Sequence, residues 1–179
     1  MSSRRRILRR MTDNESTLVA ADNVHGGGRS ALKTIVIGGL VAGALDITYA
    51  FIIWGFRGVS PIRIGQSVAA GLLGREAAVG GGTATGLFGL AVHFILAIIM
   101  AAIYYGAARN FRLLVDRAVP CGIAYGLALY GAMNYVVMPL SAIGRTGGGG
   151  PLYIAITGIL VHMFLVGLPI ALITRRDLR

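Results

Sequence analysis

The chain has 179 residues, of which 55% are hydrophobic and 13% charged, with a formal net charge of +10. Soluble domains carry about 25% charged residues, and a water-soluble core of this length cannot hide so much apolar surface, so a bilayer is the expected solvent. The basic residues flank apolar segments and form no patch interleaved with aromatic rings, which excludes a nucleic-acid partner.

Residues 1–32 read as a basic, mostly disordered cytoplasmic tail that includes Arg4, Arg5, Arg6, Arg9, Arg10 and a glycine run at 26–28. The apolar stretch that follows is longer than the core of a signal peptide, about 7–15 residues, so no cleavable signal is expected. The arginine run is read as a topology determinant, with contact to anionic headgroups as the alternative. Met11 is an alternative start that removes the run.

Residues 33–179 form the membrane domain. Four apolar stretches, about 35–56, 87–108, 119–140 and 152–173, each reach the roughly 20 residues that a helix needs to cross the hydrocarbon core. Barrel strands would be about 10 residues of alternating polarity, so the fold class is all-α, a four-helix transmembrane bundle. Asp46 is the single charged residue in the spans when histidine is counted neutral.

Between the first two spans, Ser60-Pro61 reads as an N-cap followed by proline in the first turn. Ile64, Val68 and Leu72 then recur every four residues, with Gln66 and Arg75 off that face, which predicts a short interfacial helix ended by Gly80, Gly81 and Gly82. A second glycine run, 147–150, precedes Pro151. Neither run is followed by lysine in a strand-to-helix setting, so neither is a phosphate loop. The one cysteine, Cys121 in the third span, has no partner thiol and no zinc spacing, and reads as a small packing residue.

Orientation follows from the basic residues. Thirteen of the 17 Lys and Arg lie in the N-tail, in the loop carrying Arg109, Arg112 and Arg117, and in the C-tail with Arg175, Arg176 and Arg179. Four lie on the other side: Arg57, Arg63, Arg75 and Arg145. The positive-inside rule puts both termini in the cytoplasm.

Small residues recur at helical spacing: Gly39 and Gly43, Ala97 and Ala101, Gly122 and Gly126, with Gly89 and Gly158 also inside spans. Such strips let helices approach closely where lipid gives no hydrophobic drive to pack. A compact bundle follows, and an outer strip of this kind is a route to a homodimer. The second span reads GLAVHFILAII from Gly89 and the fourth GILVHMFLVGL from Gly158; their histidines are 69 residues apart, and the glycine pairs of spans one and three 83 apart. Two repeated, parallel helical hairpins are one explanation, and a chance match of apolar helices is the other.

Polar residues inside a span are costly and usually face protein. Asp46, His93 and His162, with Asn134 and Tyr130 nearby, lie on small-residue faces at related depths. One reading makes this layer a pathway for protons or a small solute, Asp46 accepting protons and the histidines exchanging them. The alternative is a non-transporting structural or accessory protein in which the layer only holds helices together. A third reading has His93 and His162 ligate haem or, with Asp46, a metal; no cofactor is expected. No serine or cysteine has a base at usable spacing and there are no paired carboxylates, so no enzyme is expected.

The glycine-rich first helix, the His-containing second helix ending in Tyr104-Tyr105, Gly122, Gly126 and Pro139 in the third, and His162 before the terminal Arg-Arg-Asp-Leu-Arg resemble the YagU-like proteins, small bacterial inner-membrane proteins. The resemblance covers residues 35–179 in outline. It implies a multi-pass inner-membrane location and a link to acid stress, and no mechanism.

Overall fold

A computed structural model of the chain describes residues 30–144 and 151–179; most of the basic tail and the glycine run at 147–150 lie outside them. Among the described residues the protein is helical without strands: α1 (Ser30–Gly55), α2 (Pro61–Leu73), α3 (Arg75–Gly80), α4 (Gly82–Asn110), α5 (Arg112–Asp116), α6 (Ala118–Leu140) and α7 (Leu152–Leu178). Four of these, α1, α4, α6 and α7, are long and apolar enough to cross a bilayer. The protein is a multi-pass membrane protein with an all-α bundle fold.

The long helices outrun their apolar stretches. α4 has 29 residues, about 43 Å at the helical rise, against roughly 30 Å of hydrocarbon. Its surplus at the N-terminal end is where α2 packs. Large apolar side chains coat the outside, among them Ile37, Leu40, Ile95, Ile99 and Ile103, whereas nine of the eighteen buried apolar residues among the described ones are alanine. This inversion of size is what lipid solvation and close helix approach together require.

Two helix pairs carry the bundle. In the first, α1 lies on α4: a methyl group added to Gly39 would come 2.5 Å from the Ile98 Cα, and one on Gly43 would meet Phe94 at 2.9 Å. In the second, α6 lies on α7, with Gly122 against Gly167 and Gly126 against Met163. The offsets of 83 and 69 residues carry Gly39 to Gly122, Gly43 to Gly126, Ile98 to Gly167 and Phe94 to Met163. Equivalent residues therefore touch in both halves, which is what two repeated hairpins require.

The halves meet through the hydroxyl of Tyr125, which donates to the Met100 carbonyl at 2.7 Å, and through the Tyr104 and Tyr125 rings at 5.0 Å. Tyr104 also donates to the Leu114 carbonyl at 3.1 Å, fastening the short α5 beneath the bundle.

The pairs differ in regularity. α6 widens into a π-helical turn at Met133–Val137 and α7 at His162–Gly167, while α4 stays α-helical throughout. Each widened turn runs up to a proline, Pro139 or Pro169. Proline has no N–H to give and its ring crowds the carbonyl four residues back, so the helix accommodates an extra residue before it. Neither α1 nor α4 contains proline.

The helix expected after Ser60 forms, with the serine side chain accepting from the Arg63 N–H at 3.4 Å and Pro61 at its start. Two details differ from the sequence reading. Gly74, with φ 77°, ends α2, and a second short helix, α3, follows before the glycine run. The face against the protein is Ile64, Gly65, Gln66, Ala69 and Ala70, while Leu72 is 62% exposed. Gly65 and Gly89 bring the backbones of α2 and α4 into contact, so closeness of approach outweighs the apolar stripe in choosing the buried face. Gly89 thus serves α2, and not a neighbouring span.

Candidate functional site

The polar residues singled out from the sequence fall into two groups. Asp46 and His93 belong to the α1–α4 pair. His93 crosses the interface, its Nε2 lying 3.0 Å from the carbonyl of Gly43, one turn before Asp46. A carbonyl only accepts, so Nε2 carries the proton and Nδ1 is left as an acceptor. Asp46 is half-buried, and among the described residues no hydrogen bond joins its carboxylate to either histidine.

His162, Tyr130, Asn134 and Gly158 form the second group, between α6 and α7. The Nδ1 of His162 lies 2.9 Å from the Gly158 carbonyl, four residues back on the same helix, so here Nδ1 donates and Nε2 is free. The Tyr130 ring meets the imidazole edge-on at 5.5 Å and covers Gly158. Asn134 donates its amide to the Tyr130 carbonyl at 2.9 Å, filling hydrogen-bonding capacity at the start of the widened turn. The small residue at 158 makes room for the aromatic ring, and the ring seats the histidine.

The histidines therefore resemble one another in sequence context and differ in use. His93 links two helices; His162 folds back on its own. Among the described residues no three His, Cys, Asp or Glu side chains come together as a metal site. Cys121 is half-exposed, with its thiol 3.7 Å from the Leu113 carbonyl and no base beside it.

Sequence reading missed two clusters at the ends of the bundle. At the α5 end, Asp177 accepts from Tyr105 at 2.7 Å and from the Ser30 hydroxyl, tying α1, α4 and α7 together. The available signal was a lone acid in a basic last turn, opposite a tyrosine at the end of another span. At the α2–α3 end, the Arg57 guanidinium lies over the rings of Trp54 and Tyr153, at 5.1 and 5.2 Å, and donates to the Tyr153 hydroxyl. Such cation–aromatic clusters suit the level of lipid headgroups.

Comparison with known protein families, characterised proteins and solved structures finds no match to this chain.

Proposed function

We propose that this multi-pass protein is a non-transporting, non-enzymatic scaffold of a bacterial inner membrane, whose polar residues hold its helices together. The observation that carries the reading is the use of the polar groups. Across helices, His93 bonds the Gly43 carbonyl and Tyr125 the Met100 carbonyl; His162 and Asn134 each bond a carbonyl of their own helix, and among the described residues Asp46 bonds neither histidine. A relay needs its members within hydrogen-bond reach of each other; here one ring nitrogen of each histidine is taken by a backbone carbonyl, and among the described residues no hydrogen bond joins the two rings or either ring to Asp46. The exposed apolar coat supports the bilayer as principal partner. The asymmetry of basic residues supports cytoplasmic termini, and the YagU-like outline supports the inner membrane.

One observation favours the proton-handling reading. Asp46 is a half-buried acid within a span, and such residues commonly mark ion pathways. The two readings separate in proteoliposomes under an imposed pH gradient. The scaffold reading expects proton flux at the empty-liposome level for the wild type and for Asp46→Asn, His93→Ala and His162→Ala. Flux above that level, lost in these variants while helicity is retained, would overturn it.

A further inference from the structure

At the α2–α3 end lies a cavity of about 360 Å³, open to solvent, between α2, α3 and the turn that follows α6. That turn is fixed in place: the Ala142 N–H donates to the Gly71 carbonyl at 2.8 Å. Val79 and Ile143 give the cavity an apolar wall, and Arg63 and Arg75 stand in its lining, with no acidic residue among the described residues that line it.

One of the arginines, Arg63, is supported from below. Gln66 is only 5% exposed, and its amide donates to the Gly82 carbonyl at 2.8 Å. With its orientation set that way, its Oε1 faces the Arg63 guanidinium and accepts from it at 3.4 Å. A buried amide thus anchors one guanidinium at the cavity and leaves the remaining N–H groups of Arg63 for a ligand. Ser67, also in the lining, donates its hydroxyl to the Ile64 carbonyl at 2.7 Å. Its oxygen can then only accept, which suits a hydroxyl or ammonium group on whatever the arginines hold.

Two planar cations select an oxyanion, and a guanidinium fork matches carboxylate and phosphate alike; at the headgroup level of a membrane, phosphate is the oxyanion at hand. The volume lies at the low end of ligand pockets, roughly 300–1,000 Å³, and exceeds the needs of a bare ion. Leu72 and Leu73, 62% and 43% exposed, put an apolar edge on the same short helix, as a segment lying at the headgroup level would have.

We propose that this cavity binds a phosphoester that carries a hydroxyl, the chemistry of a phosphoglycerol headgroup, with the phosphate on Arg63 and Arg75 and the hydroxyl on Ser67. The source is either a lipid or a soluble phosphoglycerol. The site does not depend on the scaffold reading, because binding is measured without flux; a proton-handling bundle would still carry it.

The test uses the full chain purified in maltoside detergent, which contains no phosphate, with phosphatidylglycerol binding followed by native mass spectrometry. Arg63→Ala with Arg75→Ala should weaken binding at least about tenfold. Ser67→Phe, which fills the cavity and leaves both arginines, should do the same with helicity unchanged, and it decides the matter if the double variant does not fold. Displacement of the lipid by glycerol 3-phosphate would identify the headgroup alone as the ligand; failure to displace it would assign the site to lipid. Wild-type binding in both variants, or no binding of either probe to the folded wild type, would overturn the proposal.

Discussion

The α1–α4 and α6–α7 pairs begin from the same pattern, two glycines four apart on one helix and a histidine on the other, and they use it differently. In the first pair the histidine donates across the interface to the Gly43 carbonyl. In the second, His162 donates to its own helix, and its backbone instead lies against Gly126. The second pair also has prolines, and with them two widened turns. A shared contact pattern sets which helices pair. Backbone closes both interfaces at Gly39 and Gly122; at the second glycine a side chain closes the first pair, and backbone beside a widened turn closes the second.

The largest test of that comparison is alanine at equivalent glycines. On Gly126 a methyl group would strike the His162 carbonyl and lie 2.5 Å from the Met163 Cα, where nothing can rotate aside. On Gly43 its nearest neighbour is the Phe94 ring at 2.9 Å, which can turn, with the Ala97 methyl next at 3.1 Å. Gly126→Ala should therefore cost about 3 kcal/mol or prevent folding, and Gly43→Ala about 1 kcal/mol, both read from unfolding in detergent. Equal costs would break the contrast between a backbone contact at Gly126 and a side-chain contact at Gly43.

Asp177→Ala tests the joint between the pairs. It leaves the Tyr105 and Ser30 hydroxyls without their shared acceptor, at an expected cost of about 1–3 kcal/mol. Proteolysis near residue 30 should rise with it. An unchanged midpoint and cleavage rate would show that α1 is held by its glycine contacts alone.

Much of this architecture is legible in the sequence, because hydrophobic length and small-residue spacing are strong signals in a membrane solvent. The four spans, the Ser60 cap and the glycine pairs all follow from such local rules. The buried face of α2 does not, because choosing between the Ile64–Val68–Leu72 stripe and the Gly65–Ala69 strip requires knowing that α4 overhangs the apolar span and offers Gly86 and Gly89. The Asp177 and Arg57 clusters join residues more than 70 positions apart, and no periodicity encodes such a pairing. The sequence orders Asp46, His93 and His162 along their spans. It does not tell which helix pair each belongs to, because depth says nothing about azimuth around the bundle.

The histidines give a smaller contrast. His93→Ala removes an interhelical bond and should cost about 0.6–1.7 kcal/mol; His162→Ala removes an intrahelical one and should cost less, as compared by unfolding midpoints. A greater loss from His162 would reverse the roles assigned to the two rings.

The smallest expected effect is dynamic. Amides around Leu165 in α7 should exchange with deuterium faster than those around Leu96 in α4. Pro169→Ala, which restores a backbone donor, should slow the α7 exchange toward the α4 rate. If exchange is already equal in the wild type, the widened turn is as tightly bonded as an ordinary helix.

The central claim is that Asp46, His93 and His162 do not act as one coupled layer, and nitrogen NMR of the two imidazoles tests it most directly. The account expects His93 as the Nε2–H tautomer and His162 as the Nδ1–H tautomer, with the His162 signals unmoved by Asp46→Asn. Signals from both rings that shift together in Asp46→Asn would contradict it, and would return the three residues to a single proton-handling site.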